Sequence, residues 1–352
     1  MNLAQESISL LKELISIPSF SKEEDKTADL IQQFLQSKDF DPERTGNNVW
    51  LKCSDFDDTK PTVLLNSHHD TVKPNQGYSR DPFLAEELET KLFGLGSNDA
   101  GGCLVSLIAT FLHFEEQVED LPFNLVFAAS AEEEISGKNG ISSILKEMPK
   151  IDFAIVGEPT LLNLAIAEKG LMVLDCLAKG KAGHAARNEG VNAIYEALGD
   201  IKWFETFQFP KQSSSLGPIK MTVAQIEAGQ QHNVVPAECK YVVDVRTTDA
   251  YTNEETLEII QSKIRGEAKA RSTRLNPSGV KSNHPIIKAA KALEIETYGS
   301  PTLSDQALMP FESVKFGPGD SARSHMADEY IYRDEIEKGI EAYIDLLNHL
   351  KF

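Results

Sequence analysis

Three short, nearly unbroken apolar runs constrain this chain most: Thr62-Val-Leu-Leu-Asn66, Asn124-Leu-Val-Phe-Ala-Ala-Ser130 and Ile151-Asp-Phe-Ala-Ile-Val156. Runs without polar alternation suit strands covered on both faces, as in a sheet with helices above and below. Helical spacing surrounds them. Ile8, Leu11, Leu14 and Ile15 fall on one stripe near the start of the chain. A second helix is expected over residues 22–36, with Ala28, Ile31 and Phe34 inward, and a third over 101–114, between the first two runs. This alternation predicts an α/β domain with a doubly wound mixed sheet.

The texture changes after Gly170. Residues 171–179 and 238–246 alternate in part, as strands with one wet face do. Helices are expected at 191–204 and 253–265. After Pro277 the first texture returns and ends in a helix with Ile336, Ile340, Ile344 and Leu347 inward. A smaller α+β domain at 170–277, inserted into a catalytic domain made of 1–169 and 278–352, explains this order. A chain of 352 residues is long enough for two domains.

Acidic side chains outnumber basic ones 54 to 35, for a formal charge of -19. Such a surface repels phosphate backbones, so nucleic acid is not an expected partner. No apolar run approaches the roughly 18 residues needed to span a bilayer, so no membrane association is expected. The N-terminal segment reads as an amphipathic helix, not a signal peptide. Cys53, Cys103, Cys176 and Cys239 are far apart and form no C-x-x-C pair. They read as thiols in a reducing compartment, and the expected location is the cytoplasm.

The chemistry gathers where the apolar runs end. His68 and Asp70 follow the first run and, two apart in extended chain, face the same way. Asp70 is placed to accept the N–H of His68 and turn its other nitrogen toward a metal. A polar strand end in water is the equal alternative. Asp99 lies in Gly94-Leu-Gly-Ser-Asn-Asp99-Ala-Gly-Gly102, where on its own it reads first as a helix cap. Glu132, Glu133 and Glu134 directly follow the second run. Carboxylates so crowded repel one another unless cations offset them. Glu158 follows the third run, and Pro159 holds it extended. His325 sits in a loop, where a single histidine alone is more often simply exposed. Together His68, Asp99, Glu134, Glu158 and His325 form a donor set suited to two zinc ions.

In their order these motifs resemble the co-catalytic zinc amidohydrolase family, which includes acetylornithine deacetylase, succinyl-diaminopimelate desuccinylase, aminoacylases and glutamate carboxypeptidases. The resemblance rests on H-x-D, G-x-G-x-x-D-x-x-G-G, the E-E pair before a glycine, G-E-P-T and a late G-P-G…H-x-x-x-E, and runs over nearly the whole chain. It implies that Asp99 bridges two Zn2+ ions, with Co2+ or Mn2+ as substitutes. His68 and Glu158 would complete one site, and Glu134 and His325 the other. Glu133 would be the general base, and Asp70 would orient His68. A cis peptide is implied between Asp99 and Ala100. The inserted domain resembles the family's lid and dimerisation domain, through Gly180-Lys-Ala-Gly-His184 and Asn192-Ala-Ile194. His184 would then reach a partner's active site in a homodimer. Asn233, Arg246, Gly317 and Gly319 would hold the substrate. On local sequence alone, His184 reads as a turn histidine and Arg246 as a surface residue paired with Asp244 or Asp249.

The activity implied is hydrolysis of an N-acyl amino acid, with N-acetylornithine, N-acetylcitrulline or N-succinylornithine in arginine biosynthesis placed first. Succinyl-diaminopimelate desuccinylation and a metallo-dipeptidase or carboxypeptidase activity follow. A catalytically silent homologue is the alternative of another class. Residues 302–306 differ from the better-known members, so the acyl group is not fixed by the resemblance.

Overall fold

In the computed structural model, which describes residues 3–116 and 121–352, the three apolar runs lie side by side. They form parallel strands Thr62–His68, Asn124–Ser130 and Phe153–Gly157, with the first between the other two. Every residue of the three is buried. Glu312–Phe316 adds a further parallel strand beside Phe153–Gly157. Asn48–Lys52 on one side and Leu164–Glu168 on the other are antiparallel to their neighbours, so the nine-stranded sheet is mixed.

Both faces of this sheet are covered, which is why its strands carry no polar alternation. Val63 and Leu65 contribute to one core and Leu64 to the other, as the pleat requires. The same split separates Phe127 from Val126 and Ala128. Helices Leu3–Ile15, Gly102–Glu116 and Arg333–His349 supply the larger core with Leu11, Phe111, Ile336 and Tyr343. Ile141, Ile144 and Met309 line the smaller one. Parallel neighbours need a crossover longer than a hairpin. Gly102–Glu116 is that crossover between the first two runs, and it is buried nearly all round.

Two helices differ from their expected form. The second begins at Asp25, because Lys22 takes a left-handed conformation (φ 77°) and donates its amide to Glu24 Oε1. Leu35 is fully buried there, while Phe34 is only partly so. In the last helix Tyr343 and Leu346 join Ile336, Ile340 and Leu347, and Ile344 is only partly buried. At about 100° per residue, position 343 stays on the stripe of 336 and 340, whereas 344 turns to its edge.

The chain forms two compact units. The first comprises the chain up to Ala167, Gly279–Tyr298 and Ser304–Phe352; the second comprises Glu168–Ser278 and Gly299–Leu303. The second unit is built on a four-stranded antiparallel sheet in the order Lys220–Ala228, Glu238–Thr247, Gly170–Lys179, Glu267–Ala270. Met172, Leu174, Tyr241, Val243 and Val245 project from one face into a core closed by helices Ala193–Thr206 and Asn253–Lys263. The buried carboxylate of Asp200 accepts from the amides of Arg265 and Gly266, both at 2.9 Å, and from the Tyr241 hydroxyl at 3.2 Å.

Phe127 sits in the middle of the larger core, and Phe127→Ala should lower the stability of the first unit by about 3–5 kcal/mol. The shift of its urea midpoint measures this. A loss below about 1 kcal/mol would mean that this strand does not anchor the core.

Candidate active site

Parallel strands in register bring their carboxyl ends to one edge of a sheet. His68 lies opposite Ser130, and the Ser67 hydroxyl donates to the Gly157 carbonyl at 2.8 Å. The residues just past these ends, Glu133, Glu134 and Glu158, are therefore neighbours of His68 by chain geometry. Asp99 arrives from the irregular turn Ser97–Gly101, which leads into the crossover helix, and its peptide bond to Ala100 is cis. A side chain at position 101 would meet the Gly96 carbonyl at 2.4 Å, so this turn closes only with glycine there. His325 follows the fourth parallel strand.

The five expected ligands converge. His68 Nε2 stands 3.5 Å from Asp99 Oδ1, 3.8 Å from Glu158 Oε1 and 3.9 Å from Glu133 Oε2. His325 Nε2 stands 3.0 Å from Glu134 Oε2 and 3.6 Å from Asp99 Oδ2. The two oxygens of Asp99 thus face different imidazoles. The potential ligand atoms of His68, Glu133 and Glu158 lie within 4.8 Å of one another, and so do those of His68, Asp99 and Glu134. The imidazole of His68 is buried, yet its Nε2 makes no hydrogen bond among the described residues.

Electrostatics asks for cations here. Burial pushes the Glu133 carboxyl well above the usual carboxylate range, and Glu158, Asp305 and Glu134 add to this, against an opposing effect of His68. The hydrogen bond to Glu134 pushes His325 up to about 9, despite its partial burial. Both shifts favour a proton held on Glu133 and on His325, which offsets negative charge at the site. Divalent cations serve the same end, and the imidazole and carboxylate donors fit them.

Asp70 organises the site in a way the spacing only half suggests. His68 Nδ1 lies 2.9 Å from the main-chain oxygen of Asp70 and 3.5 Å from its carboxylate. The nearer partner is the backbone, which fixes the ring and leaves Nε2 facing the acids. The Asp70 carboxylate accepts from the amides of Glu133 at 3.0 Å and Glu134 at 3.2 Å, and from the Ser21 hydroxyl at 2.6 Å. One residue therefore sets both the histidine and the acid pair. Glu132 turns away and accepts from Asn139 Nδ2 at 2.8 Å.

Three residues of this shell escaped sequence reasoning. Ser21 reaches Asp70. Glu24, fully buried, accepts from the Glu132 amide at 3.1 Å. Asp305, also buried, accepts from the Ser130 hydroxyl at 2.5 Å. Each reads in sequence as an ordinary polar residue, because its partner is remote in the chain.

The other expected site residues stand differently. The Gly317 amide donates to the Thr160 hydroxyl at 3.0 Å, and its carbonyl accepts from the amides of Thr160 and Leu162. A side chain at Gly319 (φ 90°) would meet Asn98 Oδ1 at 2.6 Å. Both glycines are thus engaged in loop packing. In the second unit His184 is exposed, with its Nδ1 accepting from the Ala186 amide at 3.1 Å. Asn233 is exposed nearby, and its carbonyl accepts from the Ala185 amide. Arg246 forms a fork on Asp244, at 2.9 and 3.1 Å.

Comparison with known proteins places the chain in a family. A probable carboxypeptidase of Paracoccidioides lutzii is 28% identical, covering 97% of this chain and 84% of its own. An acetylornithine deacetylase of Shigella sonnei is 26% identical, covering 82% of this chain and 80% of its own. Among solved structures, a dinuclear metal binding peptidase of Bacillus subtilis superposes with a TM-score of 0.75 at 14% identity, covering 98% of this chain and 97% of the other. The family described as peptidase family M20/M25/M40 matches residues 64–349. The chain belongs to that family, as a metal-dependent amide hydrolase.

Proposed function

We propose that this protein deacylates an N-acyl amino acid, with N-acetylornithine or a close relative such as N-acetylcitrulline or N-succinylornithine as substrate. The observation that carries the reading is the cluster itself. Asp99 offers one oxygen toward each imidazole, and Glu133 stands beside both His68 and Glu158, close enough to serve the reaction. Asp99 would be shared by two divalent cations, zinc first, with cobalt or manganese able to use the same donors. His68 and Glu158 would hold one, and Glu134 and His325 the other. Bound cations supply the Lewis acidity that lets water lose a proton near neutral pH.

Glu133 then acts as the proton carrier. Its carboxylate takes a proton from water as the oxygen bonds to the amide carbon. It returns that proton to the nitrogen as the carbon–nitrogen bond breaks, so the products are a carboxylic acid and a free amine. Asp70 keeps Glu133 and His68 in register throughout. Arg246 and Asn233 would receive the substrate carboxylate, Arg246 exchanging Asp244 for it in the same forked geometry. His184 would stabilise the oxyanion across a homodimer. Support for that assembly comes from the second unit, whose edge strand Lys220–Ala228 pairs on one side only among the described residues and exposes Ile226, with Tyr195 and Leu198 exposed on helix Ala193–Thr206. The four cysteines are unpaired thiols and no described helix is long and apolar enough to cross a membrane, both in keeping with a cytoplasmic enzyme.

The probable carboxypeptidase among the relatives favours a second reading, cleavage of a peptide bond at a carboxyl terminus. A panel of acetylornithine, acetylcitrulline, succinylornithine, succinyl-diaminopimelate and simple dipeptides, given to metal-reconstituted protein, separates the two. Preferred turnover of the acylated ornithines or citrulline is expected, and equal or faster cleavage of dipeptides would transfer the assignment to a peptidase. Glu133→Gln should keep two ions per chain by elemental analysis yet lose about 10²–10⁴-fold in kcat. Turnover at the unaltered rate would remove Glu133 from its role.

A further inference from the structure

Glu329 is buried to 1% exposure at the end of the loop that carries His325, and the reaction above gives it no task. Both of its acceptor groups are spent on one segment. Its main-chain carbonyl accepts from the Gly94 amide at 3.0 Å. Its carboxylate accepts from the amides of Gly96 at 3.1 Å, Asn98 at 2.8 Å and Asp99 at 2.9 Å. One side chain thus holds the main chain of the turn that presents Asp99. Packing alone would not select an acid here, since burying a carboxyl group costs free energy unless it is hydrogen-bonded. Three convergent N–H donors are met by the two oxygens of a carboxyl group, and an apolar side chain could accept from none of them.

The turn is also tied from the other side. Asn98 Nδ2 donates to the Asp320 carbonyl, and the Asp320 amide donates to Asn98 Oδ1, both at 3.0 Å. These bonds join the turn to the same loop, so the segments bearing Asp99 and His325 form one unit. Asp99 is the carboxylate whose two oxygens face both His68 and His325. A small rotation of its backbone would move both oxygens together.

We propose that Glu329 is a positioning residue of the metal centre: by holding the amides of Gly96, Asn98 and Asp99 it fixes the Asp99 carboxylate between the two histidines, so that both cation sites depend on it. This rests on the two-cation reading of the site.

The test uses the full chain, stripped of metal and titrated with Zn2+ against a chromophoric chelator, and with Co2+ followed by visible absorption. Glu329→Gln keeps the shape but places one amide donor against a backbone donor. It should weaken retention of both ions by about 10–100-fold and alter the Co2+ spectrum. Glu329→Ala should do so more strongly. If the alanine variant does not fold, the glutamine variant decides. Native affinity and an unaltered Co2+ spectrum in the glutamine variant, with or without a lower melting temperature, would overturn the proposal, since structural support alone predicts that result. Loss of one ion with full retention of the other would overturn it too. A wild-type chain that takes up fewer than two ions would instead reject the two-cation reading itself.

Discussion

The arrangement depends on a crowding of carboxylates around two imidazoles. Asp99, Glu133, Glu134 and Glu158 crowd around the buried His68 at the edge of the sheet, and burial pushes the Glu133 carboxyl up. Like charges held this close are stabilised by cations set among them. Two imidazoles are nearby, and the Nε2 of His68 is buried and makes no hydrogen bond among the described residues. The site is thus assembled for positive charge arriving from outside the chain. The hydrogen bonds of Asp70 maintain the geometry that makes the repulsion strong.

The sheet makes such crowding possible. Parallel neighbours send their carboxyl ends the same way, so residues near 68, 133 and 158 become adjacent although they are far apart in the chain. Helix Gly102–Glu116 carries the chain between two of these strands, and the turn at its start delivers Asp99 to the same edge. Side chains contributed by strand ends and by a turn locked in glycine-dependent packing are held by the core rather than by mobile loops. His325 is the exception, since it comes from a loop and its side chain is 56% exposed. That loop is anchored elsewhere, through Arg323 on Glu335 at 2.6 and 2.9 Å and through Asp320 on Asn98.

Much of this was legible because buried parallel strands leave an unusual trace, apolar runs that do not alternate and that stop abruptly at acids or histidine. All three runs are strands within two residues of their expected limits, and the third starts at Phe153, since Asp152 turns its carboxylate to the Thr62 amide at 3.0 Å. The five residues proposed as ligands could be picked out, since each sits just past a recognisable feature. The residues that orient them were hidden. Glu24, Ser21 and Asp305 bond to groups tens to more than a hundred positions away, and nothing in local sequence marks such a partner. Asp70 was identified, but the close role of its main-chain oxygen was not, because side-chain chemistry is readable in a sequence and backbone orientation is not. Position 344 shows a smaller limit of the same kind, where counting apolar residues misplaced a stripe that helical geometry turns toward 343.

Crystals of the protein grown with zinc, with anomalous diffraction recorded on both sides of the zinc edge, test the central claim most directly. The account predicts two anomalous peaks, one between His68 and Glu158, the other between Glu134 and His325, with Asp99 in contact with both. A single peak, or none near Asp99, would contradict it.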